Sequence, residues 1–160
     1  MAELAVFIGG IHGTGKSVFA SNYARESGLN YVSASDIIYN QNITNKKVEN
    51  VDRNQDVLVA GFYSLPDPKY VMDGHYTLLD KNNAIARVPL STFVSLNPKR
   101  LILLISEIEQ IYARLLKRDG RQYSLELLSL MQNEEKKYYY ELCEHFDLEN
   151  EIIINNFNFK

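Results

Sequence analysis

The residues from 10 to 17, GIHGTGKS, have the types and spacing of a phosphate-binding loop. They fit the pattern G-x-x-x-x-G-K-[ST], in which backbone N–H groups cradle phosphates, the lysine neutralises them and the hydroxyl binds Mg²⁺. An apolar run at 4–8 precedes the loop and helical spacing follows it, so the sequence predicts a strand, the loop and a helix in this order. We therefore assign ATP binding to the loop and the residue after it, namely Gly10, His12, Gly13, Thr14, Gly15, Lys16, Ser17 and Val18.

Two aspartates follow predicted strands at the sheet edge where such a loop lies. Asp73 ends the apolar strand 69–74 and is expected to bind Mg²⁺ together with Ser17, although an aspartate before Gly74 can also serve as a turn cap. Asp36 ends a predicted strand at 30–36, where it would orient an acceptor; a helix N-cap is an equally good interpretation. His75 is a further candidate for positioning an acceptor, against the commoner structural role of a lone histidine.

Four cations crowd the end of a predicted helix and the glycine-containing loop after it: Arg114, Lys117, Arg118 and Arg121. A solvated basic helix end would explain them through the helix dipole. We favour a lid at 117–124 that closes over ATP, because phosphoryl transfer needs cations that cover the charge of the transition state. Arg118 and Arg121 are accordingly predicted to be catalytic, together with Lys16 and Asp73.

These residues require a sheet that brings strand ends together. Strands are predicted at 4–8, 30–36, 69–74, 99–106 and 151–155, with an amphipathic helix from 108 and a long helix at 124–146. Alternating strands and helices imply right-handed βαβ units, so we predict one α/β domain over 1–160: a three-layer sandwich with a five-stranded parallel sheet. Residues 37–68 are the predicted acceptor-binding excursion, and 40–56 are expected to be mobile.

The composition and the motifs that are missing from the sequence exclude several classes of protein. A balance of 17 basic and 20 acidic residues gives a net charge of −3, which offers no general attraction to nucleic acid or anionic membranes. Short apolar runs and the single cysteine, Cys143, predict a cytoplasmic protein. A GTPase would carry an N-K-x-D sequence, and a motor ATPase would need further elements. A small kinase that uses ATP and Mg²⁺ fits the remaining features.

Five segments in order extend this interpretation: the phosphate loop, VMDGH, SLNPKRLILLI, ARLLKRDGR and IIINN. With them the chain resembles the nucleoside monophosphate kinases with a P-loop, especially adenylate kinases of archaeal type. The resemblance implies that Gly13, Gly15, Lys16 and Ser17 hold the ATP phosphates and Mg²⁺. It also implies that Arg114, Arg118 and Arg121 are lid cations, and that Asn155 or Asn156 lies beside the adenine.

The acceptor segment departs from that family, whose members clamp a monophosphate with several arginines. Arg53 is the one arginine between Asp36 and Lys69, and Arg87 lies just beyond the third strand. We expect these two to hold an acceptor phosphate if the acceptor is AMP or a related nucleotide, which is our first prediction. A kinase for a nucleoside, small alcohol or other metabolite is the second. An ATP-binding switch or slow ATPase that regulates a macromolecule is the third, and the oligomeric state is left open.

Overall fold

A five-stranded parallel sheet forms the centre of the computed structural model, which describes residues 1–42, 51–66, 68–80, 82–120 and 123–156. The strand order is β2-β3-β1-β6-β7, and a separate antiparallel hairpin is formed by β4 and β5. The strands are β1 (Glu3–Gly9), β2 (Asn30–Ser33), β3 (Lys69–Gly74), β4 (Thr77–Leu79), β5 (Ile85–Arg87), β6 (Arg100–Ile105) and β7 (Glu151–Ile154). Because β1 lies between β3 and β6, the segments that follow these strands meet at one edge of the sheet.

Six helices complete the described part of the chain: α1 (Lys16–Ser27), α2 (Ala34–Asn42), α3 (Val51–Tyr63), α4 (Leu90–Leu96), α5 (Ile108–Asp119) and α6 (Leu125–Phe146). The predicted long helix is confirmed, and Ser124 caps it by accepting a hydrogen bond from the Leu127 N–H. Within the described residues, no helix combines the length and apolar character needed to cross a membrane.

Helices cover both faces of the sheet. On one face Ala20 and Ala24 of α1 pack against Val6 and Ile8 of β1. On the other face α3, α4 and α6 bury large side chains in one cluster with Phe7 of β1, including Phe62, Phe93 and Tyr139. This arrangement confirms the predicted three-layer α/β fold with five parallel strands.

The segment between β2 and β3 differs from the sequence-based prediction. Strand β2 ends at Ser33, and Asp36 lies in the first turn of α2, so the prediction that Asp36 ends a strand was wrong. A carboxylate in a first turn is favoured by the helix dipole. Residues 51–56 of the stretch expected to be mobile belong to α3, which begins at Val51 and buries Leu58 and Phe62 one turn apart, and the mobility itself stays a prediction. Residues 43–50 lie outside the described residues.

Candidate active site

The phosphate loop lies between β1 and α1, and its backbone conformation requires glycine. Gly13 and Gly15 have φ angles of 88° and 81°, in the left-handed region that other residues rarely adopt. A Cβ on Gly13 would also lie 3.0 Å from the Ile111 side chain. Because α1 begins at Lys16, the loop leads directly into a helix N-terminus, whose free N–H groups favour a phosphate.

Arg114 and Asn155 hold the loop in this conformation. One Arg114 nitrogen donates to the Gly13 carbonyl at 2.7 Å, and the other donates to the Asn155 carbonyl at 3.0 Å. The Asn155 side-chain amide donates in turn to the Thr14 carbonyl at 2.7 Å. Arg114 therefore binds the loop backbone. This position differs from the predicted role of Arg114 as a lid cation. Asn155 braces the same loop, and a place beside adenine stays a prediction for it.

The remaining predicted nucleotide residues take different positions around the loop. The Thr14 hydroxyl is buried and donates to the Ile11 carbonyl at 2.9 Å, so it stabilises the loop internally. A Cβ on Gly10 would lie 2.6 Å from the Leu104 carbonyl oxygen, so the backbones touch there. Val18 is exposed on α1. The Asn156 side chain accepts from the Glu107 N–H at 3.2 Å, at the start of α5.

Lys16, Ser17 and Asp73 meet at the end of β3, where Asp73 is 3% exposed. The Tyr31 hydroxyl donates to the Asp73 carboxylate and is also hydrogen-bonded to Ser17. The two side chains predicted to bind Mg²⁺ thus share the Tyr31 hydroxyl as a hydrogen-bond partner, and oxygen ligands are what this ion prefers. Burial lowers the pKa of Lys16, while the negative charge of Asp73 opposes this shift. The residues present fit a Mg²⁺ site beside a lysine.

Glu135 of α6 is a fully buried carboxylate that the sequence analysis did not identify. It accepts hydrogen bonds from the backbone N–H groups of Tyr76 at 2.9 Å and Thr77 at 2.8 Å, and from the Thr77 hydroxyl. Burial raises its pKa to about 7, against the lowering effect of these hydrogen bonds and of Lys16. Glu135 therefore fastens the turn that follows Asp73 and His75 to α6.

The ring of His12, in the loop, contacts the ring of His75, which follows β3, with centroids 4.5 Å apart. Part of the His12 ring is exposed, yet burial of the rest and the positive charges of Lys16 and Arg118 lower its pKa to about 4. Burial also lowers the pKa of His75, with Lys16 acting in the same direction. Both imidazoles are neutral at pH 7.

Arg118 lies in the last turn of α5, within electrostatic reach of Lys16 and His12. It is exposed and pairs with the neighbouring Asp119 at 3.0 Å. Gly120 ends the helix in the left-handed conformation. Arg121, the other predicted lid cation, lies outside the described residues, so its role stays a prediction.

A cavity of about 400 Å³ adjoins the loop and is called the apolar cavity below. His12 and His75 form part of its wall. Its apolar walls come from the sheet and from α2, α3 and α4, and include Phe7, Ile38, Leu58, Val88, Phe93 and Leu96. Ser35, Asn54, Gln55 and Thr92 add polar groups. This volume lies within the range of small-molecule sites.

Of the four residues predicted to bind the acceptor, only His75 lines the apolar cavity. Asp36 and Arg53 are exposed on α2 and α3, next in sequence to the cavity residues Ser35 and Asn54. Arg87 lies on β5 and pairs with Glu134 at 2.8 Å and Glu141 at 2.5 Å, both on α6. Among the described residues, none of these three lines the apolar cavity.

Comparison with known proteins agrees with this architecture. A model of the AAA domain family matches residues 9–129, which is most of the chain. No curated protein matches the sequence significantly.

Two solved kinases share the fold. A shikimate kinase from Acinetobacter baumannii, in complex with shikimate, superposes with a TM-score of 0.63 at 11% identity, over 100% of this chain and 85% of that chain. A gluconokinase from Sinorhizobium meliloti gives a TM-score of 0.56 at 12% identity, over 94% of this chain and 82% of that chain. Identities this low establish a common fold alone. Neither comparison identifies an adenylate kinase, so that part of the resemblance stays a prediction.

Proposed function

This chain belongs to the AAA domain family, and from that premise we propose that it is an ATP-dependent kinase acting on a small molecule held in the apolar cavity. One observation carries the proposal: His12 belongs to the phosphate loop and also lines the cavity. The proposed donor site and the apolar cavity therefore share a wall. A switch or slow ATPase would not need a cavity of this size beside its phosphates. The folds of the shikimate kinase and the gluconokinase support the same interpretation.

The residues of the loop would perform the transfer as follows. Lys16 and the N-terminal N–H groups of α1 bind the phosphates, and Arg118 approaches them from the end of α5. Ser17 and Asp73 would hold Mg²⁺, whose charge neutralises phosphate oxygens when it is bound. An acceptor hydroxyl oxygen forms a bond to the γ-phosphorus while the bond to the β,γ-bridging oxygen breaks. ADP leaves, and the hydroxyl proton passes to water.

A nucleoside monophosphate such as AMP is the acceptor that the resemblance favours. Arg53 is the cation that supports it best, because it precedes the cavity residue Asn54 on α3. Arg87 gives it less support, since this guanidinium is paired with two carboxylates of α6. The acceptor class is therefore the part of the function most in need of a direct assay.

The assay is ADP release from Mg-ATP, measured alone and with each of a panel of nucleosides, monophosphates and small alcohols. The proposal expects one acceptor to accelerate ADP release in step with a phosphorylated product detected by mass spectrometry. Lys16→Ala is the control for contaminating kinases, because it removes the lysine of the loop. ADP release that no acceptor changes would contradict the proposal and favour a slow ATPase.

A further inference from the structure

The walls of the apolar cavity are unusual for a site that faces ATP. Phe7, Leu58, Phe93 and Leu96 supply large apolar surfaces, and each is at most 3% exposed. Among the described residues that line it, there is no lysine, arginine, aspartate or glutamate. An anion moved from water into such surroundings loses hydration that no charged group of the described wall offsets, and burying a charge without an opposite charge is costly.

Among the described residues, the cations around the cavity lie outside its wall: Lys16 and Arg118 act electrostatically on the wall residue His12, and Arg53 and Arg87 lie on α3 and β5. Lys16 lies beside Asp73 on the phosphate side of the loop. Arg87 is held by Glu134 and Glu141 on α6. Arg53 is exposed on α3 and is absent from the cavity wall. The wall residue His12 adds no charge at neutral pH, because its pKa is about 4.

The wall does carry neutral hydrogen-bonding groups. Gln55 and Thr92 are 5% and 4% exposed, and they add an amide and a hydroxyl to the wall, which also includes Asn54. Ser35 adds a second hydroxyl from the first turn of α2. A few polar groups set among apolar walls are what orient a neutral ligand in a cavity.

We propose that the apolar cavity selects an uncharged acceptor, with an apolar or aromatic body and at least one hydroxyl, over a phosphorylated or carboxylated one. This inference rests on the proposed kinase function and specifies its substrate class. It contrasts with the nucleotide acceptor favoured by the sequence. The shared fold of the two solved kinases does not carry their acceptors to this chain.

Matched pairs that differ by one charged group test the inference. The pairs are adenosine and AMP, cytidine and CMP, and 4-(hydroxymethyl)benzamide and 4-(hydroxymethyl)benzoate. Their affinities are measured by titration calorimetry on the full chain at pH 7.5, nucleotide-free for the benzamide and benzoate pair, and with Mg-ADP filling the phosphate loop for the nucleosides and monophosphates, which could otherwise bind at the loop. We expect at least one neutral member to bind, and to bind more than about tenfold more tightly than its charged partner, which corresponds to about 1.4 kcal/mol. Equal or tighter binding of the charged members, or binding of no neutral member, would overturn the inference.

A charge placed at the cavity provides a second test. Ser35 is exposed at the cavity wall, so Ser35→Arg should fold and should raise the affinity for the charged member of a pair. Asn40→Arg is the matched control, because Asn40 is exposed on the same helix and does not line the cavity. An unchanged preference in Ser35→Arg, or an equal shift in both variants, would count against the cavity as the selecting site.

The outcomes also separate this inference from the proposed function. Phosphorylation of a charged member with release of ADP would leave the kinase function standing and would overturn the neutral acceptor. Tight binding of a neutral member that never accelerates ADP release would support the selectivity of the cavity while contradicting the kinase function.

Discussion

The two sides of His12 are built in different ways. On the phosphate side, Lys16, Asp73 and Arg118 bring charges together, and Arg114 and Asn155 fasten the loop through hydrogen bonds. On the other side, the described walls of the apolar cavity carry neutral polar groups among aromatic and aliphatic side chains. Under the proposed function, this contrast predicts that charge governs binding of ATP, whereas shape and neutral hydrogen bonds govern binding of the acceptor.

Lys16→Ala should produce the largest effect, because it removes the cation that lies beside Asp73 at the start of α1. We expect turnover to fall by about 1000-fold, in the range found when a positioned electrostatic group is lost. The measurement is acceptor-dependent ADP release by purified variants. Lys99→Ala is the control, since this exposed lysine precedes β6 at the opposite edge of the sheet and should not matter. Turnover at the wild-type rate by Lys16→Ala would contradict the prediction that Lys16 binds the ATP phosphates.

Asp73→Asn should lower metal-dependent turnover by about 100-fold while ATP binding is retained, because the amide keeps the shape but loses the charge. The measurement is the turnover at increasing Mg²⁺ concentration beside the affinity for ATP. Tyr31→Phe is the matched variant: it removes the hydrogen bonds of this hydroxyl to Asp73 and Ser17 and leaves the carboxylate charge in place. Tyr31→Phe should lower turnover much less than Asp73→Asn does. Loss of ATP binding together with the fold in Asp73→Asn would instead make this aspartate structural.

Arg118→Ala should lower kcat more than it raises KM for ATP, because the lid prediction moves this exposed side chain from its pair with Asp119 to the phosphates in the transition state. A fall of about 100-fold in kcat is the expected size for a cation that acts in the transition state. Lys117→Ala tests whether any basic residue at the end of α5 has this effect. A change confined to KM would make Arg118 a binding group, and no change would favour the solvated helix end.

The donor side could be predicted from the sequence because its chemistry fixes local spacing. Gly13, Gly15, Lys16 and Ser17 lie within one short motif, and Asp73 ends an apolar strand. The fold followed from the same alternation of strands and helices. The contacts of Arg114 and Asn155 could not be foreseen, since they join segments that are far apart in the sequence.

The acceptor side left a weaker signal. Its walls come from α2, α3, α4 and the sheet, and their leucines and phenylalanines look like those of any core. Glu135 did leave a signal, because it lies at helical spacing between the buried Met131 and Tyr139 and is the carboxylate in that stripe. Asp36 was misplaced because a short apolar stretch does not distinguish a strand from the start of a helix.

Glu135→Gln should change how stability depends on pH. Its pKa is raised from 4.5 to about 7 in the folded state, so the folded protein binds more protons than the unfolded chain between these values. The contribution of Glu135 to the free energy of unfolding is therefore full below pH 4.5. It falls by roughly 3 kcal/mol as the pH rises through 7. The lowered pKa values of His12 and His75 act in the opposite direction, so the quantity to compare is the difference between variant and wild type.

Urea unfolding at pH 5 and pH 8 measures this difference. In Glu135→Gln the free energy of unfolding should not show the decrease that ionisation of Glu135 causes in wild type. The stability of the variant relative to wild type should therefore rise with pH. Glu134→Gln is the control, because Glu134 lies next to it on α6 and pairs with Arg87 at the surface. The same pH dependence in wild type and Glu135→Gln would show that the buried carboxylate does not titrate in this range.

Arg87→Ala should have the smallest effect and bears directly on the contrast between the two sides. Its ion pairs with Glu134 and Glu141 are exposed, and its guanidinium lies 4.8 Å from the centre of the Tyr138 ring. Surface pairs of this kind contribute at most about 1 kcal/mol, so a small loss of stability is expected with KM for every acceptor unchanged. Arg53→Ala, made beside it, should leave the acceptor KM unchanged as well if the cavity takes a neutral molecule. A strong rise of KM for AMP in either variant, with KM for ATP unchanged, would show that the arginine binds the acceptor phosphate. This result would favour a nucleotide as the acceptor.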